Sequence, residues 1–184
     1  MIVWIDGPFG AGKTTLAMRL RERLPQLLVF DPEEIGFVVK TIVPMPPNGN
    51  DQDLPLWRRL TIRTIAELRD HYPQDIAVPM TLLKPWHRDE ILNAVRSMDP
   101  CFLHLYLDID SDTLRDRITR QQLHPDESRN AQIRNWRLAQ IEGCRAGRKC
   151  LPPGTLLLDS GKNASETLAD RVIGEMNYLR RATR

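Results

Sequence analysis

The stretch GPFGAGKT, residues 7–14, matches the pattern G-x-x-x-x-G-K-[ST] at every fixed position. The apolar run at residues 1–5 predicts a buried strand before it, and residues 13–24 after it carry Leu16, Leu20 and Leu24 at helical spacing. A strand, a glycine-rich turn and a helix N-terminus in this order direct backbone N–H groups and the positive end of a helix dipole at one anion. The sequence therefore predicts a phosphate-binding loop (P-loop) for a nucleoside triphosphate.

Single residues of this P-loop have predicted roles. The Lys13 ammonium can reach the β- and γ-phosphates, and the Thr14 hydroxyl can ligate Mg²⁺. Ser160 follows the last predicted strand, where nucleotide kinases of this topology often meet the adenine base. The predicted nucleotide-binding residues are Gly7, Phe9, Gly10, Ala11, Gly12, Lys13, Thr14, Thr15 and Ser160.

Strands and helices alternate along the rest of the chain. Apolar runs predict strands at 27–30, 76–78, 102–107 and 155–158, and helical periodicity predicts helices at 32–43, 56–71, 85–98, from Ser111 or Asp112, and from about Ala164. The proline-rich stretch 44–55 is predicted to be a loop, and its length favours a binding role. This order predicts a single α/β domain over 1–184, with a five-stranded parallel sheet and helices on both faces.

The composition excludes several classes of protein. The 184 residues carry 26 Lys and Arg against 24 Asp and Glu and are 41% hydrophobic, so a collagen, a disordered tail and a nucleic-acid binder acting through bulk charge are disfavoured. Three cysteines, an odd number, fit a reducing compartment, and no apolar run is as long as a membrane span. We expect a cytoplasmic protein that binds no nucleic acid.

The positive charge is concentrated late in the chain. Residues 113–149 hold nine Lys and Arg against four acids, an excess of five, whereas the whole chain has a net charge of +2. One interpretation is a solvated helical surface. The other is a basic lid, about residues 119–153, that closes over phosphates. Arg117 and Arg120, on the helix after the fourth predicted strand, would then offset charge that develops during phosphoryl transfer.

Missing motifs narrow the class of P-loop protein. A GTPase should carry Asn-Lys-x-Asp to read guanine, and this motif does not occur. A mechanical ATPase usually has a strand that ends in acidic residues, whereas the third predicted strand ends in Pro79-Met80-Thr81. A small-molecule kinase, with its P-loop near the N-terminus and a late basic lid, remains. Its fold would be the nucleotide-kinase type of the P-loop nucleoside triphosphate hydrolases.

Candidate acceptor residues follow the predicted strands, because ligands of such sheets gather at the carboxyl ends of the strands. Asp31, just after the second strand, could take the proton of an acceptor hydroxyl, or it could simply cap the helix that follows. Glu33 and Glu34 are first-turn acids, of which at least one is expected to be structural. The segment Pro79-Met80-Thr81 should line the acceptor pocket.

Two residues after the proline-rich loop have open assignments. Trp57 could stack on a ring of the acceptor, and Arg58 could meet an anion. A tryptophan buried in the core at a helix start is an equal alternative.

Five segments resemble the bacterial tunicamycin-resistance proteins, a family of small P-loop proteins. They are residues 2–13, residues 31–37 (DPEEIGF), Val43-Pro44, residues 55–58 (PLWR) and residues 78–81 (VPMT). The resemblance covers about the first 100 residues, and the lid departs from the family pattern. It implies ATP binding and protection against tunicamycin, a uridine-containing glycolipid antibiotic, and it brings Phe37 into the acceptor site.

A more distant resemblance to chloramphenicol phosphotransferase, in which an aspartate after the second strand is the base, implies that role for Asp31. The predicted function is ATP- and Mg²⁺-dependent phosphorylation of a hydroxyl of tunicamycin or a related nucleoside antibiotic. Two alternatives stay open, namely an ATP-gated protein that sequesters the drug and a housekeeping nucleotide or sugar kinase. Arg180, Arg181 and Arg184 would allow peripheral membrane contact, although they also suit the negative end of any helix. The oligomeric state is not predicted.

Overall fold

A computed structural model describes residues 1–183, and Arg184, one of the arginines named for membrane contact, lies outside them. Five parallel strands form one sheet: β1 (Ile2–Asp6), β2 (Leu28–Val29), β3 (Ile76–Pro79), β4 (Phe102–Asp108) and β5 (Leu156–Asp159). The order across the sheet is β2-β3-β1-β4-β5. The predicted α/β fold with a five-stranded parallel sheet is confirmed.

Eight α-helices connect and cover these strands. They are α1 (Lys13–Arg23), α2 (Glu33–Val39), α3 (Pro55–His71), α4 (Pro85–Met98), α5 (Ser111–Arg120), α6 (Glu127–Ala139), α7 (Ile141–Arg148) and α8 (Ser165–Ala182). No helix within residues 1–183 combines the length and the apolar character that crossing a membrane requires.

Alternating side chains of β1 pack into two separate cores. Val3 and Ile5 join the core under α1 and α8, whereas Ile2 and Trp4 join the core under α3 and α4. All four side chains are fully buried, as expected for a central parallel strand with helices on both faces. The sheet centre is therefore rigid, and the P-loop extends directly from it.

The sheet order places the functional segments at one edge. β1 pairs with β3 on one side and with β4 on the other, so the chain leaves β1 toward β2 and crosses to β4 only after β3. Open parallel sheets bind ligands where the strand order switches in this way, at the carboxyl ends of the strands. The P-loop after β1 lies at this switch point.

Helix α2 is shorter than the predicted helix at 32–43. After Val39 the backbone continues as tight turns, in which the Thr41 and Ile42 amides donate to carbonyls three residues earlier. Pro44 gives the physical reason, because a proline disfavours helical geometry in the residue before it. The predicted loop at 44–55 also contains a short 3-10 helix, Asp51–Asp53, whose first turn is capped by the Asn50 side chain.

The predicted lid, residues 119–153, contains two helices, α6 and α7. Leu114 and Ile118 of α5 pack against Ile141 of α7 in a small third core. The Arg88 side chain of α4 is buried and donates to the carbonyls of Gly147 and Cys150 at the end of α7. The base of the lid is thus fastened to the body of the protein on both sides.

Candidate active site

The P-loop glycines are needed for the shape of the turn. Gly7, Gly10 and Gly12 have φ values of 141°, 86° and 99°, which L-residues with side chains rarely adopt. A Cβ atom on Gly7 would lie 2.9 Å from the carbonyl oxygen of Leu107. The backbone therefore forms the tight cradle that a phosphate group needs, which supports the predicted role of these residues.

The Lys13 side chain folds inside this loop. Its Nζ donates to the carbonyl oxygens of Gly7 at 3.1 Å and Pro8 at 2.8 Å. Burial lowers the pKa of Lys13 to about 8, although the nearby Asp6 carboxylate opposes that shift. A half-buried cation that has no carboxylate partner within hydrogen-bonding distance among residues 1–183 is well suited to meet a phosphate.

One cavity, of about 480 Å³, runs from the P-loop to the end of β5. Gly10, Ala11, Gly12, Thr15, Arg117, Arg120 and Ser160 are among its lining residues. Arg117 Nη2 donates to the Ser160 carbonyl at 2.8 Å and so joins α5 to the loop after β5. The Arg120 side chain is 83% exposed and lies 3.8 Å from Asp116. This cavity, called the nucleotide cavity below, collects most of the predicted nucleotide-binding residues.

A second cavity, of about 460 Å³, lies on the other side of the P-loop and is called the acceptor cavity below. Phe9 and Met80 contribute from the body, and Phe37 contributes from α2. Trp136 and Arg137 of α6 form the opposite wall. The volume suits a small organic molecule. Phe9, predicted to contact the nucleotide, thus places its ring in the acceptor cavity instead.

Two carboxylates lie at the start of α2. Asp31 Oδ1 accepts the backbone N–H of Glu33 at 3.0 Å, so the capping alternative is correct for one oxygen. Burial raises the pKa of Asp31, and this hydrogen bond opposes the rise. Burial and the neighbouring Asp31 raise the pKa of Glu33, which itself lines the acceptor cavity. Raised carboxylate pKa values are typical of groups that accept and release protons.

Arg137 brings a positive charge to the same place. Its guanidinium lies 5.7 Å from the centre of the Phe9 ring and donates to the Gln121 side chain at 2.8 Å. Its charge adds to the lowering of the Lys13 pKa and opposes the rise of the Glu33 pKa, and burial lowers the pKa of Arg137 itself. Two cations, Lys13 and Arg137, therefore act electrostatically on the same place beside a carboxylate.

The structure corrects two predicted acceptor contacts. Trp57 is fully buried in the core beneath α2, and its Nε1 donates to the Pro32 carbonyl at 3.1 Å, so its ring is not available for stacking. Arg58 donates to Glu90 at 2.7 Å and to the Gln52 carbonyl at 2.6 Å, and it lines neither cavity. On helix α3, the Trp57 side chain faces α2 and the Arg58 side chain faces α4.

The segment after β3 is divided between two roles. Met80 lines the acceptor cavity, as predicted. Pro79 is buried in the sheet opposite Ile5. The Thr81 hydroxyl donates to the Gly7 carbonyl at 2.7 Å, and the Thr81 carbonyl accepts from Gln52 Nε2 at 2.7 Å. Thr81 therefore supports the P-loop rather than the acceptor cavity.

Several residues that line the acceptor cavity were not predicted from the sequence. Trp136, Arg137, Gln132 and Ile133 lie on one helix of the lid, which was predicted only as a basic region. A signal was present, since an aromatic residue directly precedes an arginine at 136–137 within a charged helix. Asn50 and Asp51 line the cavity from the loop whose length had favoured a binding role.

Comparisons with known proteins agree with this fold. The AAA_33 family model, described as an AAA domain, matches residues 2–141. None of the curated proteins compared matches this sequence. The structure of a tunicamycin resistance protein from Deinococcus radiodurans is similar, with 20% identity, a TM-score of 0.68, and coverage of 96% of this chain and 95% of that one. The expected likeness to that group is thus confirmed at the level of the fold.

Two kinases have comparable similarity. A sugar kinase from Janibacter sp. HTCC2649 has 20% identity and a TM-score of 0.66, over 94% of this chain and 92% of its own. A gluconokinase from Sinorhizobium meliloti 1021 has 15% identity and a TM-score of 0.65, over 98% of this chain and 94% of its own. The fold is thus that of small-molecule kinases with a P-loop.

Proposed function

The chain belongs to the AAA_33 family of AAA domains, and from this premise we propose that it transfers the γ-phosphoryl group of ATP to a hydroxyl group of a small molecule. The observation that carries the proposal is the meeting of two cavities at the P-loop. The nucleotide cavity lies on one side, the acceptor cavity on the other, and Lys13, Glu33 and Arg137 act on one another electrostatically between them.

The residues present fit Mg·ATP. Gly7 has no room for a side chain, so the backbone of the loop can lie close to a phosphate. Helix α1 begins at Lys13 and directs its N-terminus at the same phosphate position. The Thr14 hydroxyl is exposed at the first turn of α1, where it could ligate the metal. Mg²⁺, when bound, would neutralise part of the phosphate charge. Lys13 would leave the Gly7 and Pro8 carbonyls and bind the phosphates.

Transfer would follow from these positions. The acceptor oxygen forms a bond to the γ-phosphorus, the bond from that phosphorus to the bridging oxygen of ADP breaks, and the hydroxyl proton passes to a carboxylate. Asp31 is the proposed base; it does not itself line either cavity, and Glu33, whose amide it accepts, lies in the wall of the acceptor cavity. Arg137 and Lys13 would stabilise the charge on the transferring group. Arg117 and Arg120 belong to the nucleotide cavity and would hold the nucleotide.

We further propose tunicamycin, or a related uridine-containing antibiotic, as the acceptor. The fold similarity to a tunicamycin resistance protein supports this choice, as do the aromatic rings of Phe9, Phe37 and Trp136 in the acceptor cavity. Beyond Phe37, which is 55% exposed, the apolar side chains of Val38 and Ile42 are also exposed. They would cover the apolar tail of such an acceptor, or rest against the membrane that holds it.

The test is a transfer assay. The protein, γ-labelled ATP, Mg²⁺ and tunicamycin are incubated together, and the drug is analysed by mass spectrometry. A labelled antibiotic, heavier by one phosphoryl group, is expected. An unmodified drug at saturating Mg·ATP would rule out tunicamycin as the acceptor. A panel of sugars, gluconate and nucleosides, compared by kcat/KM, then tests a housekeeping kinase, which the similarity to a sugar kinase and a gluconokinase favours.

One substitution distinguishes a kinase from a protein that sequesters the drug without chemistry. Asp31→Asn keeps the oxygen that accepts the Glu33 amide but removes the proton acceptor. A protein that only binds the drug should still confer resistance with Asn at this position, whereas a kinase should lose resistance.

A further inference from the structure

A buried acid and a buried histidine face each other below the P-loop. Asp6 ends β1 and is 1% exposed, and His104 lies on the neighbouring strand β4 and is 3% exposed. Asp6 Oδ1 accepts the backbone N–H of Gly7 at 2.7 Å and that of Leu82 at 3.1 Å. The carboxylate thereby ties the first residue of the P-loop to the segment after β3.

The other ring nitrogen of His104 meets Thr155. His104 Nδ1 lies 2.9 Å from the Thr155 hydroxyl oxygen, and that oxygen lies 2.7 Å from the Pro152 carbonyl oxygen. The Pro152 carbonyl also accepts the backbone N–H of Thr155, so the hydroxyl can donate to Nδ1 and leave the imidazole hydrogen on Nε2. His104 thus also contacts the segment by which the chain returns from the lid.

The other two atoms have only each other. Asp6 Oδ2 and His104 Nε2 are buried, and neither has a hydrogen-bond partner among residues 1–183. They lie 3.6 Å apart. If neither carried a hydrogen, two lone pairs would face one another without solvent, which is costly in a protein interior. The imidazole hydrogen on Nε2, directed at Oδ2, removes this cost.

We propose that His104 is a positioning residue of the phosphate site, which directs its Nε2 hydrogen at Asp6 Oδ2 and so holds the Asp6 carboxylate against the Gly7 amide. The inference rests on the nucleotide-binding part of the proposed function. His104 touches neither cavity, and it acts through Asp6. It also joins the P-loop to Thr155 and Pro152, so that the lid end and the phosphate cradle are coupled through one side chain.

Other ionisable groups surround this pair. The Asp6 carboxylate acts on Lys13 of α1, on Tyr106 of β4 and on Cys144 of α7. It raises the pKa of all three, together with burial at Tyr106 and Cys144 and against burial at Lys13. The position of the Asp6 carboxylate thus affects the electrostatics of Lys13, the cation of the P-loop.

The decisive experiment compares His104→Gln with His104→Asn. The Gln amide nitrogen reaches the position of Nε2 and can donate to Asp6, whereas the Asn amide nitrogen reaches only the position of Nδ1 and serves Thr155. We expect His104→Asn to raise the dissociation constant of Mg·ATP about tenfold and His104→Gln to stay within about threefold of the wild type. Equal constants for the two variants would overturn the proposal.

The chain offers a matched control. His87 is also buried, and its Nδ1 lies 3.7 Å from the Asp53 carboxylate, away from the P-loop. His87→Asn should leave the dissociation constant within about twofold of the wild type, as expected for a site with no link to phosphate. A loss equal to that of His104→Asn would mean that any buried histidine matters, and would overturn the proposal.

Nitrogen NMR of the wild-type protein tests this hydrogen directly and needs neither nucleotide nor variant. We expect the imidazole hydrogen of His104 on Nε2, the nitrogen that faces Asp6. An Nε2 without a hydrogen would overturn the proposal even if the variants fail to fold. Failure of the wild type to bind Mg·ATP would instead contradict the proposed function and leave this measurement intact.

Discussion

The indole of Trp136 lies edge-on to the ring of Phe9, with ring centroids 5.0 Å apart and planes inclined by 68°. Trp136 Nε1 also donates to the Asn48 carbonyl at 3.3 Å. Helix α6 therefore packs against both the P-loop and the proline-rich loop. This packing places Arg137 in the wall of the acceptor cavity.

Arg137 should matter more for transfer than Arg120, one of the arginines predicted from the sequence. Arg137→Gln is expected to lower kcat about 100-fold or more, because it removes a half-buried charge from the wall of the acceptor cavity. Arg120→Gln should lower kcat less than about fivefold, since its side chain is exposed and pairs with Asp116 at the surface. Steady-state kinetics with the acceptor identified by the transfer assay would measure both. Equal losses in kcat would contradict the assignment.

Lys13 should be required for binding of the nucleotide. Lys13→Ala is expected to weaken Mg·ATP binding about 100-fold, since a desolvated ammonium next to phosphate has no substitute in the cradle. Titration calorimetry measures the loss. Lys149→Ala, an exposed lysine at the end of α7, is the matched control and should bind Mg·ATP like the wild type. Unchanged binding by Lys13→Ala would exclude the P-loop as the phosphate site.

The carboxylates of Asp31 and Glu33, at the start of α2, should lower the stability of the fold at pH 7 while they contribute to activity. The pKa values of Asp31 and Glu33 are raised, so each favours the folded state most below its ordinary pKa, and this contribution is lost as the pH rises through the raised value. Asp31→Asn and Glu33→Gln should therefore raise the Tm at pH 7, and the gain should shrink toward pH 4. Their phosphoryl transfer should fall.

Thermal scans at the two pH values, together with the transfer assay, measure both effects. Asp89→Asn, which changes an exposed carboxylate of α4 that lines neither cavity, should change neither quantity. A lower Tm at pH 7 for both Asp31→Asn and Glu33→Gln would show that the carboxylates stabilise the fold, contrary to the direction of their pKa shifts.

Two glycines should respond to alanine in opposite directions. Gly7→Ala is expected to cost more than about 1 kcal/mol of unfolding free energy, because of its φ of 141° and the Leu107 carbonyl in the way. Gly174→Ala lies in α8, where a Cβ meets nothing within 4 Å, and should gain about 0.5–1 kcal/mol. Denaturant unfolding measures both changes, and a neutral Gly7→Ala would contradict the cradle geometry.

The corrected position of Trp57 is also testable. Trp57→Phe removes the hydrogen bond to the Pro32 carbonyl and should cost about 1–2 kcal/mol of unfolding free energy, while the KM for the acceptor stays within about twofold. A large change in KM with unchanged stability would restore Trp57 to the acceptor site.

The fold was predictable because its signals are local. The apolar run before Gly7, the fixed glycines and the spacing of Leu16 and Leu20 each report on neighbours in the chain, and the structure has the predicted strand, loop and helix there. Helix α2 marks the limit of such signals, since its apolar pattern continued past Val39 while the backbone turned ahead of Pro44.

The acceptor cavity was less predictable because it is assembled from distant segments. Trp136 reaches Phe9 across 127 positions of sequence, and nothing in either neighbourhood encodes that contact. Trp57 could have faced the cavity or the core, and only the packing of α2 on α3 decides between them. Asp6 and His104 likewise become a pair only when β1 and β4 align.

The side chain of Phe9 occupies a position that the P-loop pattern leaves unspecified, yet it forms a wall of the acceptor cavity. A motif that identifies the donor nucleotide thus contains, at a variable position, information about the acceptor. A substitution at position 9 would therefore reshape this cavity while leaving unchanged the glycines that form the phosphate cradle.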